Sequence, residues 1–287
     1  MAPQSPVVAG WDLGLRLREK RELLGLRGKD VHAAIDLVPT YLSAVEKGKQ
    51  QLSVDKLRAL TTMLEFDEDA ITEMIRLRGE ALGRGWWSKF TALFSEDLLR
   101  FFGYEYGAES IRTYCSGLVY GMLQTESYAR AIIEAGAPNV RLAEVDRRVQ
   151  ARMLRQQRLA GSDALQLHCV MSEAALRQQI GGPEVLAEQL CHLANLVNEH
   201  PETVDLRVVP FAATGNDAMG GSNFHLLAFP GGNLPTLAWQ ETVTSTQIID
   251  DFQMVREYAL AHASATKGAL DREASLAMIE RLAKELK

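Results

Sequence analysis

Thr40 and Ser43 stand three residues apart just after Pro39, and Lys47, Lys49, Gln50 and Gln51 follow close behind. Two hydroxyls one helical turn apart can share a face and exchange hydrogen bonds with polar edges, while the lysines and amides can meet a polyanion. Gly28 and Lys29 open a predicted helix, where unsatisfied backbone N–H groups and the helix dipole favour an anion such as phosphate. This is chemistry of binding. Residues for bond-making are harder to assemble: His168, His192, His200, His225 and His262 lie on different elements, without HExxH or a nearby carboxylate at metal-site spacing. Glu173 after Ser172 reads as a helix cap, and Glu241 is a lone acid. No GxSxG elbow or phosphate-binding glycine loop occurs. No catalytic residue, metal site or cofactor is assigned, and an enzyme is not expected.

The elements that position these groups are helices. Asp12 can cap a helix carrying Leu13, Leu17 and Leu24 on one face, ended by Gly25. A second, short helix has Val31, Ala34 and Ile35 at buried-face spacing, with small Ala34 where two helices would cross closely. Pro39 opens a third that buries Leu42 and Val45 and stops near Gly48. Ser53 can cap a fourth with Leu57, Leu60 and Leu64, and Asp67 a fifth with Ile71, Met74 and Ile75. Arg21 falls on the apolar stripe of the first helix and Glu46 beside Val45 on the third. Pairing the two is the simplest way to bury both charges. The alternative is that each snorkels to water at its helix end.

This arrangement resembles the five-helix repressor domain of the phage-repressor type, the XRE class. The resemblance implies an Arg–Glu pair at Arg21 and Glu46 and a third helix lying in the major groove of double-stranded DNA. It also puts Val38, Pro39, Thr40, Ser43 and Ala44 at base-reading positions. Thr40 and Ser43 offer hydrogen bonds there, and Val38 and Ala44 suit thymine methyls. Gly28, Lys29, Tyr41, Lys47, Lys49 and Gln51 are the candidate phosphate contacts. Gly28 stands where repressors often carry Gln, and Ala44 where an Arg is usual. Specificity is then expected to lean on DNA shape and on a homodimer holding two recognition helices about 34 Å apart along an operator.

Charge agrees with a localised interface. The chain of 287 residues carries a net charge of −6, yet residues 1–60 hold ten Lys/Arg against seven Asp/Glu, or +3, leaving −9 elsewhere. A mildly basic head on an acidic body fits DNA binding by one face and excludes broad nucleic-acid coating. With 47% apolar residues the chain can build sizeable cores, and no run approaches the ~20 apolar residues of a membrane span. No secretory signal is read at the N-terminus. Three widely spaced cysteines, Cys115, Cys169 and Cys191, read as reduced thiols, so a cytoplasmic location is expected.

The expected fold class is mainly α with a smaller α+β part: a five-helix repressor-type domain, then an α+β domain with a small, mostly antiparallel sheet. Residues 1–8 are expected to be a disordered tail, 9–78 the DNA-binding domain, 79–100 a linker with an aromatic segment, and 101–287 the α+β domain. Strands are expected at 164–170, 204–209, 223–229 and 236–242. The last two are joined by the Pro230-Gly231-Gly232-Asn233 turn. Helices are expected over 126–135, 141–159, 183–199, 246–262 and 271–286. Arg147, Arg148, Arg152, Arg155 and Arg158 crowd one of them. They form a solvated face, supported by Glu144 four residues before Arg148, or they meet acidic groups.

A second resemblance covers nearly the whole chain. Gly85-Trp86-Trp87, Ile111-Arg112-Thr113-Tyr114, Gly121-Met122-Leu123-Gln124-Thr125-Glu126, Arg152-Met153-Leu154-Arg155-Gln156, Val209-Pro210-Phe211, Gly220-Gly221-Ser222-Asn223-Phe224 and Trp239-Gln240-Glu241-Thr242 are similar to actinobacterial regulators of the WhiJ-like group. Val119-Tyr120-Gly121-Met122 departs from that group's usual Val-Pro-Gly-Leu. The resemblance implies a transcriptional regulator of development or secondary metabolism. It further implies an antitoxin-like arrangement with a small partner protein encoded nearby. For the second domain two readings stand: dimerisation with sensing of a small-molecule effector, walled by the loop 212–222, or docking of that partner protein. Arg148, Arg152, Arg155, Trp239 and Glu241 are the candidate contacts in either case.

Overall fold

The computed structural model describes residues 2–136, 141–218, 221–242 and 245–286. Two compact units divide the chain, Pro3–Lys89 and a second formed chiefly by Phe90–Lys287.

The first unit is five helices: α1 (Pro6–Leu23), α2 (Gly28–Ile35), α3 (Pro39–Glu46), α4 (Val54–Met63) and α5 (Glu68–Ala81). Leu13, Leu17, Val31, Leu42, Val45 and Leu57 meet in its core. Ser53 and Asp67 cap α4 and α5 by accepting from the backbone N–H of Lys56 and Ala70. Two expectations are corrected. α1 starts at Pro6, because proline suits the first helical turn and Ala9 has a core to enter. Residues 6–8 are therefore helical, and Asp12 holds Arg16 one turn on, at 2.7 and 3.1 Å, rather than capping. Ala34 is exposed. The close approach is made instead by Gly14, where a Cβ would come within 2.4 Å of the Val45 carbonyl oxygen.

The second unit is a six-stranded mixed sheet with helices around it. In chain order its elements are α6 (Glu96–Gly107), β1 (Ser110–Cys115), α7 (Glu126–Ala135), α8 (Val145–Gln156), β2 (Gln166–Ser172), α9 (Glu173–Arg177), α10 (Pro183–Glu199), β3 (Val204–Val209), β4 (Phe224–Ala228), β5 (Leu237–Glu241), β6 (Thr246–Ile249), α11 (Phe252–Gly268) and α12 (Arg272–Glu285). The strand order is β3-β2-β1-β4-β5-β6. β1–β2 and β2–β3 are parallel, joined through helices as parallel pairs require; β1–β4, β4–β5 and β5–β6 are antiparallel.

Residues 110–115 and 246–249 were not expected to be strands. β1 is the centre of the sheet, and Thr246–Ile249 is an edge strand; the helix after it starts at Phe252, capped by Asp251. One sheet face, with Tyr114, Val170, Phe224 and Ala238, packs under α11. The other carries the lateral row Cys169, Thr113, His225 and Trp239, on which α6 lays Phe101. Met219 and Gly220, within the loop expected to wall a ligand and within the Gly220-Gly221 motif, lie outside the described residues.

Candidate nucleic-acid interface and candidate ligand cavity

α3 has two sides. Leu42, Val45 and Glu46 face the core, while Val38, Pro39 and Thr40 are exposed and Ser43 and Ala44 half-buried along the outer face. Arg21 holds the helix from below. Its guanidinium donates to both Glu46 carboxylate oxygens, at 2.5 and 3.0 Å, and to the Leu26 carbonyl at 2.8 Å. The hydrogen bond to Glu46 outweighs burial and raises the Arg21 pKa above its ordinary value. The pair ties α1 to α3 and to the turn before α2, so the outer face of α3 is set by charge as well as by packing.

The flanking residues divide. Lys29, Lys47 and Lys49 are exposed. Tyr41 donates its hydroxyl proton to the Gln51 carbonyl at 2.9 Å, which fixes the loop after α3 and engages the phenol internally. Gln51 turns inward: its side-chain nitrogen sits at the Gly10 contact of α1, and its buried Oε1 has no hydrogen-bond partner among the described residues. Gln51 and Tyr41 are thus part of the scaffold of this loop, and a phosphate contact by either would require these contacts to open. At the start of α2, Gly28 packs against Pro39, bringing the two helix N-termini together. Asp30 accepts the Arg27 backbone N–H at 2.8 Å, a bond that lowers its pKa and keeps a carboxylate where an anion would sit.

In the second unit Arg148, Arg152, Arg155, Trp239 and Glu241 all line one cavity of about 640 Å3. It lies between α6 and α8, beyond the C-terminal end of β1. There the chain leaves β1 for α7, and the neighbouring antiparallel strand β4 begins, so the segments after β1 and before β4 wall a crevice at that end of the sheet. The arginines divide between the two readings left open for them: Arg147 is exposed and Arg148 pairs with Glu144, while Arg155 and Arg158 turn inward. Arg155 is buried and donates to both oxygens of Glu105 at 2.7 Å; Tyr120 donates to the same carboxylate at 2.8 Å. Phe101, Phe102 and Tyr120 surround that guanidinium at 5.2–5.9 Å. Burial opposes its charge, but Glu105 prevails and its pKa is raised. Arg158, also buried, is consumed by the carbonyls of Tyr106, Ala108 and Asp163. Arg147 is exposed.

Several residues that build this wall were not among the candidate contacts, although Gly121 and Gln124 stand in one of the motifs that carry the second resemblance. Gln124, 2% exposed, donates to the Val119 carbonyl at 2.7 Å and accepts from Arg152 at 2.6 Å. Gln189 on α10 holds the same loop through Leu123 and Thr125. Gly121 leaves room for the arginines; a Cβ there would lie 2.9 Å from Arg155 Nη1. His225 stacks on Phe101 and meets Thr113 Oγ1 at 2.6 Å. Burial, then the charge of Arg155, drive its pKa down to about 3, so it is neutral at physiological pH.

A smaller cavity of about 350 Å3 opens under α11 on the opposite face, lined by Arg112, His168, Asp205, Arg207 and His262. The first three are cross-strand neighbours in one row. His168, whose Nδ1 lies 3.8 Å from the carboxylate, and then the Arg207 guanidinium donating at 3.1 Å hold Asp205 down to about 2. Among the described residues no group of three or more His, Cys, Asp or Glu could hold a metal ion, and no helix is long and apolar enough to cross a membrane.

Residues 12–74 match a helix-turn-helix domain family, and residues 98–281 match the family described as a domain of unknown function (DUF5753). No curated protein and no solved structure matches the chain. A helix-turn-helix ahead of this second domain fits an XRE-type regulator and supports a DNA-binding regulatory function rather than catalysis. With well over half of its length matched by that one model, the chain belongs to the DUF5753 family, joined to an N-terminal helix-turn-helix domain.

Proposed function

We propose that the protein is a sequence-specific transcriptional regulator of the WhiJ-like kind. It binds its operator as a homodimer through the outer face of α3 and senses a small effector in the cavity of its second unit. The observation behind the DNA-reading half is the exposed first turn of α3, Val38 to Thr40, on a helix anchored from beneath by the Arg21–Glu46 pair. Thr40 and Ser43 supply the hydrogen-bonding groups of that face, Val38 and Ala44 its methyl contacts, and Lys29, Lys47 and Lys49 its phosphate contacts. With no Arg or Gln on the reading face, two half-sites one helical turn apart provide the affinity a single copy lacks.

Genome-wide mapping of DNA bound by the tagged protein gives the operator, and gel shifts on it test the face. Thr40→Ala with Ser43→Ala is expected to lower operator affinity on the order of tenfold, about the value of one good hydrogen-bonded base pair reading, with an unchanged melting temperature. An unaltered gel-shift series removes the two hydroxyls from the reading surface. Lys47→Glu with Lys49→Glu is expected to weaken every sequence alike and to flatten the log–log salt dependence by about 0.9 for each phosphate no longer neutralised. The same slope in variant and wild type means that neither lysine meets phosphate.

A second reading, antitoxin-like docking of a small protein encoded nearby with DNA binding serving autoregulation, has one observation in its favour. Phe252, Met254 and Leu260 on α11 are exposed, at 74%, 41% and 58%. A stoichiometric small protein in a pull-down from native extract favours docking, and a co-purified metabolite favours sensing.

A further inference from the structure

α8 brings three arginines to the large cavity at i, i+4 and i+7, and their charges are treated unequally. Arg148 is met by Glu144 at 3.1 Å and Arg155 by Glu105 at 2.7 Å. Arg152 has only the neutral amide oxygen of Gln124, at 2.6 Å, and among the described residues no carboxylate lies within 4.0 Å of its guanidinium. Burial and the like charge of Arg155 pull Arg152 down to about 10, with Glu241 at the exposed rim pulling the other way. A half-buried cation on the wall of a cavity, with no ion-pair partner among the described residues, is better matched by an anionic guest than by a neutral one. A planar fork of N–H donors suits a carboxylate or phosphate. Around it Phe94, Phe101, His225 and Trp239 give the cavity an aromatic lining, and the volume is that of a small-ligand site.

We propose that this cavity binds a small planar organic anion, its carboxylate or phosphate on Arg152 beside Gln124 and its ring against the aromatic wall. The inference shares with the sensing reading only the premise that a ligand enters here. Titration calorimetry on the full chain with 1-naphthoate, 1-naphthyl phosphate and the neutral 1-naphthalenemethanol tests it. At least one anion is expected to bind the wild type about tenfold tighter than the alcohol, as a charge-assisted contact implies, and the better anion separates the carboxylate from the phosphate source. Arg152→Gln is expected to abolish that preference while leaving the alcohol unaffected, and Arg152→Lys to restore part of it. Because the arginine lacks a counter-charge, the Gln variant is expected to melt no lower than wild type. The inference is overturned if the alcohol matches both anions, if the Gln variant keeps the preference, or if none of the three binds. Gel shifts with the bound probe keep the two readings apart. Anion binding through Arg152 without any change in operator affinity defeats sensing and leaves the site standing. Operator affinity shifted by the alcohol alone, with no anion preference, does the reverse.

Discussion

Arg155→Met is expected to lower the unfolding free energy of the second unit by about 3–5 kcal/mol, the cost of stranding one member of a buried ion pair. Glu105 is 2% exposed and among the described residues would keep only the Tyr120 hydroxyl as a donor. The methionine can retain some contact with Phe101 and Phe102, so the loss is chiefly electrostatic. Glu105→Gln is expected to cost a similar amount, because it strands the buried cation instead. The double variant removes both charges and is expected to recover most of the loss, with a coupling of at least about 2 kcal/mol in a urea-denaturation cycle. For a unit of this size each kcal/mol corresponds to roughly 2–4 °C, so the single variants are expected to melt some 6–20 °C lower. Additive single and double variants would show that the pair is not a buried unit, and the rigid cavity wall built on it would lose its foundation.

That pair also shows where reading from sequence stopped. The crowding of arginines on α8 was visible, but which of them turns inward depends on Glu105, fifty residues earlier on α6, and nothing local links the two. The first unit was more legible because its signals are local: caps at Ser53 and Asp67, apolar stripes at helical spacing, and a charge, Arg21, standing on such a stripe. Ser110–Cys115 hid for the opposite reason. As the central strand it buries Ile111, Thr113, Tyr114 and Cys115 on both faces, so the alternation that marks a half-exposed strand is missing. Thr246–Ile249, only four residues at the sheet edge, merged with the helix that follows. Tyr41 and Gln51 have the chemistry of phosphate ligands, and only the folded loop shows them turned to internal use, Tyr41 by its hydrogen bond and Gln51 by its packing at Gly10. The cavity was invisible as a cavity, since its walls come from α6, α7, α8, β1, β4 and β5.

Gly14→Ala is expected to disable operator binding, although alanine is the better helix former. Inside α1 the substitution would by propensity alone add up to about 1 kcal/mol of stability. The added methyl, however, would lie 2.4 Å from the Val45 carbonyl oxygen and 2.6 Å from that of Glu46, backbone atoms that cannot rotate away. α3 must move outward, and it carries both Glu46, which grips Arg21, and the exposed face of Thr40 and Ser43. Overpacking of this kind costs about 1–3 kcal/mol, and the strained pair adds to it, so the net change is a loss. Gly79, in the last turn of α5, is the control: a Cβ there meets nothing within 4 Å. Gly79→Ala is therefore expected to raise stability by about 0.5–1 kcal/mol and leave DNA binding unchanged. Opposite signs for the same substitution, read by thermal unfolding and gel shift, are the expected result. A Gly14→Ala protein that bound its operator with wild-type affinity would mean that the recognition helix does not depend on its seat against α1.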